Sequence, residues 1–151
     1  MDGERGKRLL KRYLSQFYRA KKKQEDLRER AESLRAELRS CGGGELAAIA
    51  PILGDIEDRI LRQTEAEAAS VVGIMDILEF LPADSTERDI LEYRHIDCRN
   101  WGDIMDQVHL SKSPTFDRYN KGLEKLLTFP KVVATLEAYE ARLAREAKDT
   151  Y

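Results

Sequence analysis

The chain is poor in the residues that interrupt or cross-link a fold: two cysteines, four prolines and nine glycines among 151 residues. Cys41 and Cys98 lie far apart with no CxxC spacing, which argues for reduced thiols rather than a disulfide. No apolar run approaches the roughly 20 residues that span a bilayer, and Met1 to Arg12 is too polar for the core of a signal peptide. A cytoplasmic protein without a membrane partner is the expectation. A glycine-rich phosphate loop, a nucleophile elbow and a His-Glu metal motif are also lacking, so the sequence gives no support to an enzyme. His95-x-x-Cys98 has the spacing of half a zinc site, but only His109 and Cys41 remain to complete it, and no metal or other cofactor is expected.

What is abundant is charge, at 36% of residues, together with the Leu, Ala, Glu, Arg and Lys typical of long helices. The fold class expected is all-α. The formal net charge of -2 conceals an uneven distribution: residues 1–40 hold 13 Lys/Arg against 7 Asp/Glu, residues 41–98 hold 4 against 13, and residues 99–151 hold 9 against 8. A basic segment followed by an acidic one can pair within the chain, and that is the simplest account of the asymmetry.

Positions 10, 13, 17, 20, 24, 27, 31, 34 and 38 read Leu, Tyr, Phe, Ala, Gln, Leu, Ala, Leu, Leu, a three-four spacing broken only by Gln24. One long amphipathic helix is expected over residues 5–39, ended by Cys41-Gly42-Gly43-Gly44. A second stretch, about Glu45 to Leu81, carries Ile56, Ile60, Val71, Met75 and Leu78 and is open to a kink near Pro51 and Gly54. Joined by a short loop, the two predict an antiparallel helical hairpin over 1–81, with Tyr13, Phe17 and Tyr18 read as seam residues. Pro82 ends the second helix. Asp84-Ser85-Thr86-Glu87 reads as a capping box opening a third, to about Asp97.

A short helix, Trp101 to Gln107, then precedes a turn at Val108-His109-Leu110 and a helix that starts between Ser111 and Pro114 and runs through Leu127. Ser111 or Ser113 can cap it, and Pro114 suits its first turn. If Ser113 is the cap, Phe116, Tyr119, Leu123 and Leu126 form the buried stripe. Trp101, Ile104, Val108 and Leu110 supply apolar contacts for the first helix and turn. Residues 82–128 thus form one segment, and 129–151 a last helix, about Pro130 to Lys148, with Val133, Leu136, Tyr139 and Leu143 on one stripe.

Arg88-Asp89-Ile90-Leu91-Glu92-Tyr93-Arg94-His95, then Trp101-Gly102-Asp103-Ile104-Met105, Leu110-Ser111 and finally Lys121-Gly122-Leu123-Glu124-Lys125-Leu126, resembles the region-4 helix-turn-helix of sigma-70-type factors over about residues 81–127. Placed behind a long helical hairpin, it is similar to small phage-encoded regulators of late transcription, the ArpU and RinA kinds. The resemblance implies a DNA-binding transcription regulator. Its second helix would enter the major groove of duplex DNA and its hairpin would mediate homodimerisation or contact with RNA polymerase. His109 stands where such turns usually carry Gly, and Met105 where a small residue is usual. On this reading the DNA contacts are Lys112, Ser113, Thr115, Arg118 and Lys121, with Arg99 or Asn100 on the phosphate backbone. The acidic balance, Phe116 and Asp117 fit an alternative, a phage assembly, packaging or anti-sigma-like factor whose helix-turn-helix binds protein.

Overall fold

The computed structural model describes residues 2–40 and 42–149. Among the described residues the protein is all-helical, with seven segments: α1 (Gly3–Leu14), α2 (Gln16–Ser40), α3 (Gly43–Leu78), α4 (Thr86–His95), α5 (Trp101–Val108), α6 (Lys112–Leu126) and α7 (Pro130–Asp149). None of these helices is long and apolar enough to cross a membrane. Of the two cysteines, Cys41 lies outside the described residues.

The contacts divide the chain into two compact units, residues 17–70 and a second made of residues 1–16 with 71–151. In the first, the seam positions of α2 are all buried or half-buried, with Ala31 fully enclosed. Ile49, Leu53, Ile56, Ile60 and Gln63 of α3 repeat the same three-four spacing and are half-buried. Gln63 donates to the Ala20 carbonyl at 3.1 Å, Gln24 bonds to Thr64, and Arg35 meets Glu57 at 3.6 Å. Rising numbers on α2 thus face falling numbers on α3, so the two helices are antiparallel. Gly43 and Gly44, expected in the loop, instead form the first turn of α3, and Pro51 is accommodated inside the helix.

The long N-terminal helix is interrupted at Ser15, where α1 ends and α2 begins. The side chains explain why. Gln16 donates its carboxamide to the Tyr13 carbonyl at 2.9 Å, and the Ser15 hydroxyl donates to Lys11 at 2.7 Å. Such local side-chain bonds compete with the backbone ladder and bend or break helices. What lies before the break belongs to the other unit: Leu9, Leu10 and Leu14 are buried in its core with Ile74, Ile77, Leu78, Leu81, Ile90, Leu91, Ile104, Leu123, Leu126, Val132 and Leu136.

In that unit α6 packs against α4, α5 and α1, and α1 also packs against α7. Tyr13 of α1 meets Tyr139 of α7 edge-on at 5.3 Å, while Arg5 pairs with Glu140 and Lys7 with Glu124. Segments 1–16 and 129–149 therefore close the same core as α4 to α6, whereas the sequence reading set them apart from residues 82–128.

His95 ties the core together. Its Nε2 lies 2.9 Å from the Tyr119 hydroxyl of α6, and it also hydrogen-bonds the backbone of Leu14 in α1. Since the Leu14 carbonyl can only accept, the other ring nitrogen carries the proton and Nε2 accepts from Tyr119. Burial, aided by the nearby Arg94 and Lys11 cations and opposed by the Leu14 bond, holds the imidazole pKa down to about 4. Burial likewise raises the Tyr119 phenol to about 12.

The consequence is acid sensitivity. An unfolded chain takes up a proton at this histidine near the ordinary value of 6.5, while the folded one resists until about pH 4. The stabilisation is therefore complete above pH 6.5 and is lost as pH falls between those values. Urea unfolding across that range should lose roughly 3 kcal/mol from this group. The His95→Phe variant should show a visibly flatter profile; an identical slope in the variant would reject this assignment.

Candidate nucleic-acid interface

The segment from α4 to α6 is built by its caps. Ser85 caps α4, its hydroxyl accepting from the Arg88 amide at 3.2 Å. Because Arg88 and not a glutamate stands three residues after the cap, the reciprocal arm of the expected capping box is missing. Glu87 is thereby left to turn inward. Asn100 caps α5 through a bond from the Asp103 amide at 2.8 Å. α5 ends at His109 in the left-handed region, φ 57° and ψ 40°, and Ser111 begins α6 in extended conformation. The ambiguity over the start of α6 is thus resolved at Ser111, with Pro114 in the first turn, where its missing N–H deprives no helical bond.

This start fixes which face of α6 is inward: Thr115, Tyr119, Gly122, Leu123 and Leu126 are buried. Phe116 is half-buried, its ring 4.5 Å from that of Trp101, and Trp101 also meets Tyr119 edge-on at 5.1 Å. Arg94 lies 5.0 Å from the Trp101 ring. Trp101 therefore anchors α5 to α6.

The close approach of α4 and α6 depends on Gly122. A methyl group there would sit 2.8 Å from Leu91 Cδ1 and 3.2 Å from Glu87 Cβ. That accounts physically for the small residue in Lys121-Gly122-Leu123. Beside it, Glu87 is buried at 6% exposure and accepts from both Arg118 and Lys125 at 3.4 Å. Burial pushes this carboxyl's pKa upward more than any other single influence. Its own backbone amide and the Lys125 and Arg118 cations together outweigh it, so the group ionises below the usual carboxylate range.

The expected DNA contacts fare unequally. Lys112, Ser113 and Lys121 are exposed on α6. Arg118 is half-exposed but tied to Glu87. Thr115 is corrected: it is fully buried and its hydroxyl donates to the Ser111 carbonyl at 2.8 Å, so it holds the start of α6 and cannot meet a ligand. The Asn100 carboxamide oxygen is committed to its cap. The Arg99 guanidinium lies over the Tyr93 ring at 4.7 Å and reaches Gln107, in the last turn of α5, at 3.5 Å, and the residue is half-buried. Asp117 and Glu124 share the outward surface of α6 with Ser113 and Lys121, and Glu124 is paired with Lys7.

His95 does not have the free ring nitrogen that a metal ligand needs, both nitrogens being engaged in the core. Residues missed by the sequence reading are Glu87, His95 and Lys125. The first two were detectable, because 87, 90, 91 and 95 share the inward stripe of α4 with Ile90 and Leu91. No known protein family, curated protein or solved structure matches the chain.

Two substitutions test this local architecture. A left-handed conformation costs a residue with a Cβ roughly 1–2 kcal/mol, so His109→Gly should raise stability by about 0.5–1 kcal/mol after the entropy cost of glycine. Gly122→Ala should lower it by about 1–3 kcal/mol through overpacking against Leu91 and Glu87. Both are read from the midpoint of denaturant unfolding, and a stabilised Gly122→Ala protein would contradict the close approach.

Proposed function

We propose that the chain is a DNA-binding transcription regulator of the phage or prophage type, in which α5 and α6 form a sigma region-4-like helix-turn-helix. The observation that carries this reading is the short left-handed turn at His109 between two helices that pack on each other and on α4. That is the arrangement needed to offer the outer face of a second helix to a major groove. Ser113 and Lys121 lie on that outer face, and Lys112 is exposed at the first position of α6, half a turn round the helix from Lys121. On this reading Glu87 orients Arg118 along the edge of α6, and RNA polymerase and duplex DNA are the partners expected.

The antiparallel pair α2–α3 serves on this reading as the helical hairpin through which two chains associate. Leu61 and Ile52 support that role, being 62% and 53% exposed on a unit with little enclosed core. A second reading rests on the charge of α6: Asp117 and Glu124 share its outer surface and Glu87 neutralises part of its edge. A face of that kind fits a protein partner, as in an assembly, packaging or anti-sigma-like factor.

Selection from a pool of randomised duplexes, followed by fluorescence anisotropy, separates the two. Lys112→Ala combined with Lys121→Ala should weaken binding to an enriched site by about tenfold or more. It should also make the salt dependence shallower by about 1.8 in log K against log salt, for two lost phosphate contacts. An enriched site bound equally well by the double variant would remove α6 from the interface, and no enrichment at all would favour the protein-binding reading.

A further inference from the structure

The α2–α3 unit contains a cavity of about 430 Å3 whose charge runs against the pairing expected from composition. α3 carries seven carboxylates and only two basic residues, Arg59 and Arg62. Simple charge pairing would turn the carboxylates of α3 toward the basic α2, and Glu57 does meet Arg35. At the cavity the reverse holds. Arg59 and Arg62 line it opposite Lys23 and Arg30 of α2, with Asp26 the single carboxylate in the lining. Arg59 is offset by Asp55 on its own helix at 3.1 Å, but among the described residues no acid lies within ion-pairing distance of Lys23, Arg30 or Arg62.

Four cations around one cavity repel one another, and an anion relieves that repulsion. Guanidinium groups favour oxyanions they can grip with two parallel N–H bonds, phosphate above all. The volume exceeds what one inorganic ion fills and falls within the range of small-ligand sites. Leu27 and Gln63 complete the lining, and no aromatic ring is present on which a base could stack. The Gln63 carboxamide nitrogen is engaged with Ala20, which leaves its oxygen, an acceptor with no use for an anion. Recognition is therefore by charge and by the cationic forks alone.

We propose that this groove is a binding site for an anion carrying two or more phosphate groups, held by Lys23, Arg30, Arg59 and Arg62. The site is independent of the α6 face and does not depend on the function proposed for it. Its ligand is either a free oligophosphate chain or successive phosphates of a nucleic-acid backbone.

Inorganic tripolyphosphate is the direct probe. In low-salt buffer it should raise the Tm of the full-length protein and give a saturable heat in titration calorimetry. Arg30→Gln with Arg62→Gln should lower the affinity by about a hundredfold, at roughly tenfold for each lost charge-assisted contact. The single Arg62→Gln variant should lower it by about tenfold, and serves if the double variant unfolds. With the anion absent, the Tm of Arg62→Gln should equal or exceed that of the native protein, because a repelling charge has been removed.

Absence of binding by the native protein, or equal binding by the native and both substituted proteins, would overturn the proposal. Competition identifies the source. Using the Lys112→Ala, Lys121→Ala protein, a short random-sequence duplex that displaces tripolyphosphate assigns the groove to backbone phosphates, and one that leaves it bound assigns it to a free oligophosphate. In either case the α6 face is already disabled, so its failure in the selection experiment and a failure of the groove are distinguishable.

Discussion

The buried imidazole of His95 is the contact on which the arrangement of the larger unit depends. It is one of few polar groups in that core, and its two ring nitrogens reach different elements, Leu14 of α1 and Tyr119 of α6. A neutral histidine with both bonds made is tolerated in an apolar interior, whereas a charged or half-satisfied one is costly. Its two bonds define where α1 must lie relative to α4 and α6. The Ser15 break, the pairing of Tyr13 with Tyr139 and the surface ion pairs from α1 all agree with that placement.

A second constraint acts at the surface of α6. The absence of a side chain at Gly122 lets α4 come close, and the approach buries Glu87 where it can hold Arg118 and Lys125. A glutamate so placed subtracts from the positive charge of the helix while fixing where that charge sits. The same carboxylate therefore lowers the net charge of this edge of α6 and fixes the position of the two cations that remain.

Much of the architecture is legible in the sequence because helical periodicity, caps and breakers act locally. The seam from Leu10 to Leu38, the start of a helix after Pro82 and the helix opening at Pro130 each follow from neighbouring residues, although the cap falls at Ser85 and not in an Asp84–Glu87 box. The break at Ser15 does not, since the apolar spacing continues across it and only the side-chain bonds of Ser15 and Gln16 reveal the interruption. Thr115, four residues before Tyr119, continues the buried stripe of Tyr119, Leu123 and Leu126, and its hydroxyl alone sets it among the surface residues in a sequence reading. Glu87 and His95 stood on an apolar stripe, but their polarity concealed that they belonged to it. The cationic cavity was out of reach for another reason: segment charges predict attraction between α2 and α3, while which residues face each other depends on the helix phases.

The chain's topology also has a temporal meaning. Arg5 and Glu140 meet across 135 positions, and Lys7 and Glu124 across 117. During synthesis the first helix therefore emerges long before the residues that enclose it, while α2 and α3, joined by a very short link, can pair as soon as both have left the ribosome. The core among α4, α5 and α6 forms from neighbouring segments, and the closure of α1 onto α6 and α7 is a late, long-range step of the kind that slows folding. Loss of α7 would uncover the side of α1 that carries Tyr13 while leaving its packing on α6, so a shortened chain is exposed on two helices far apart in sequence.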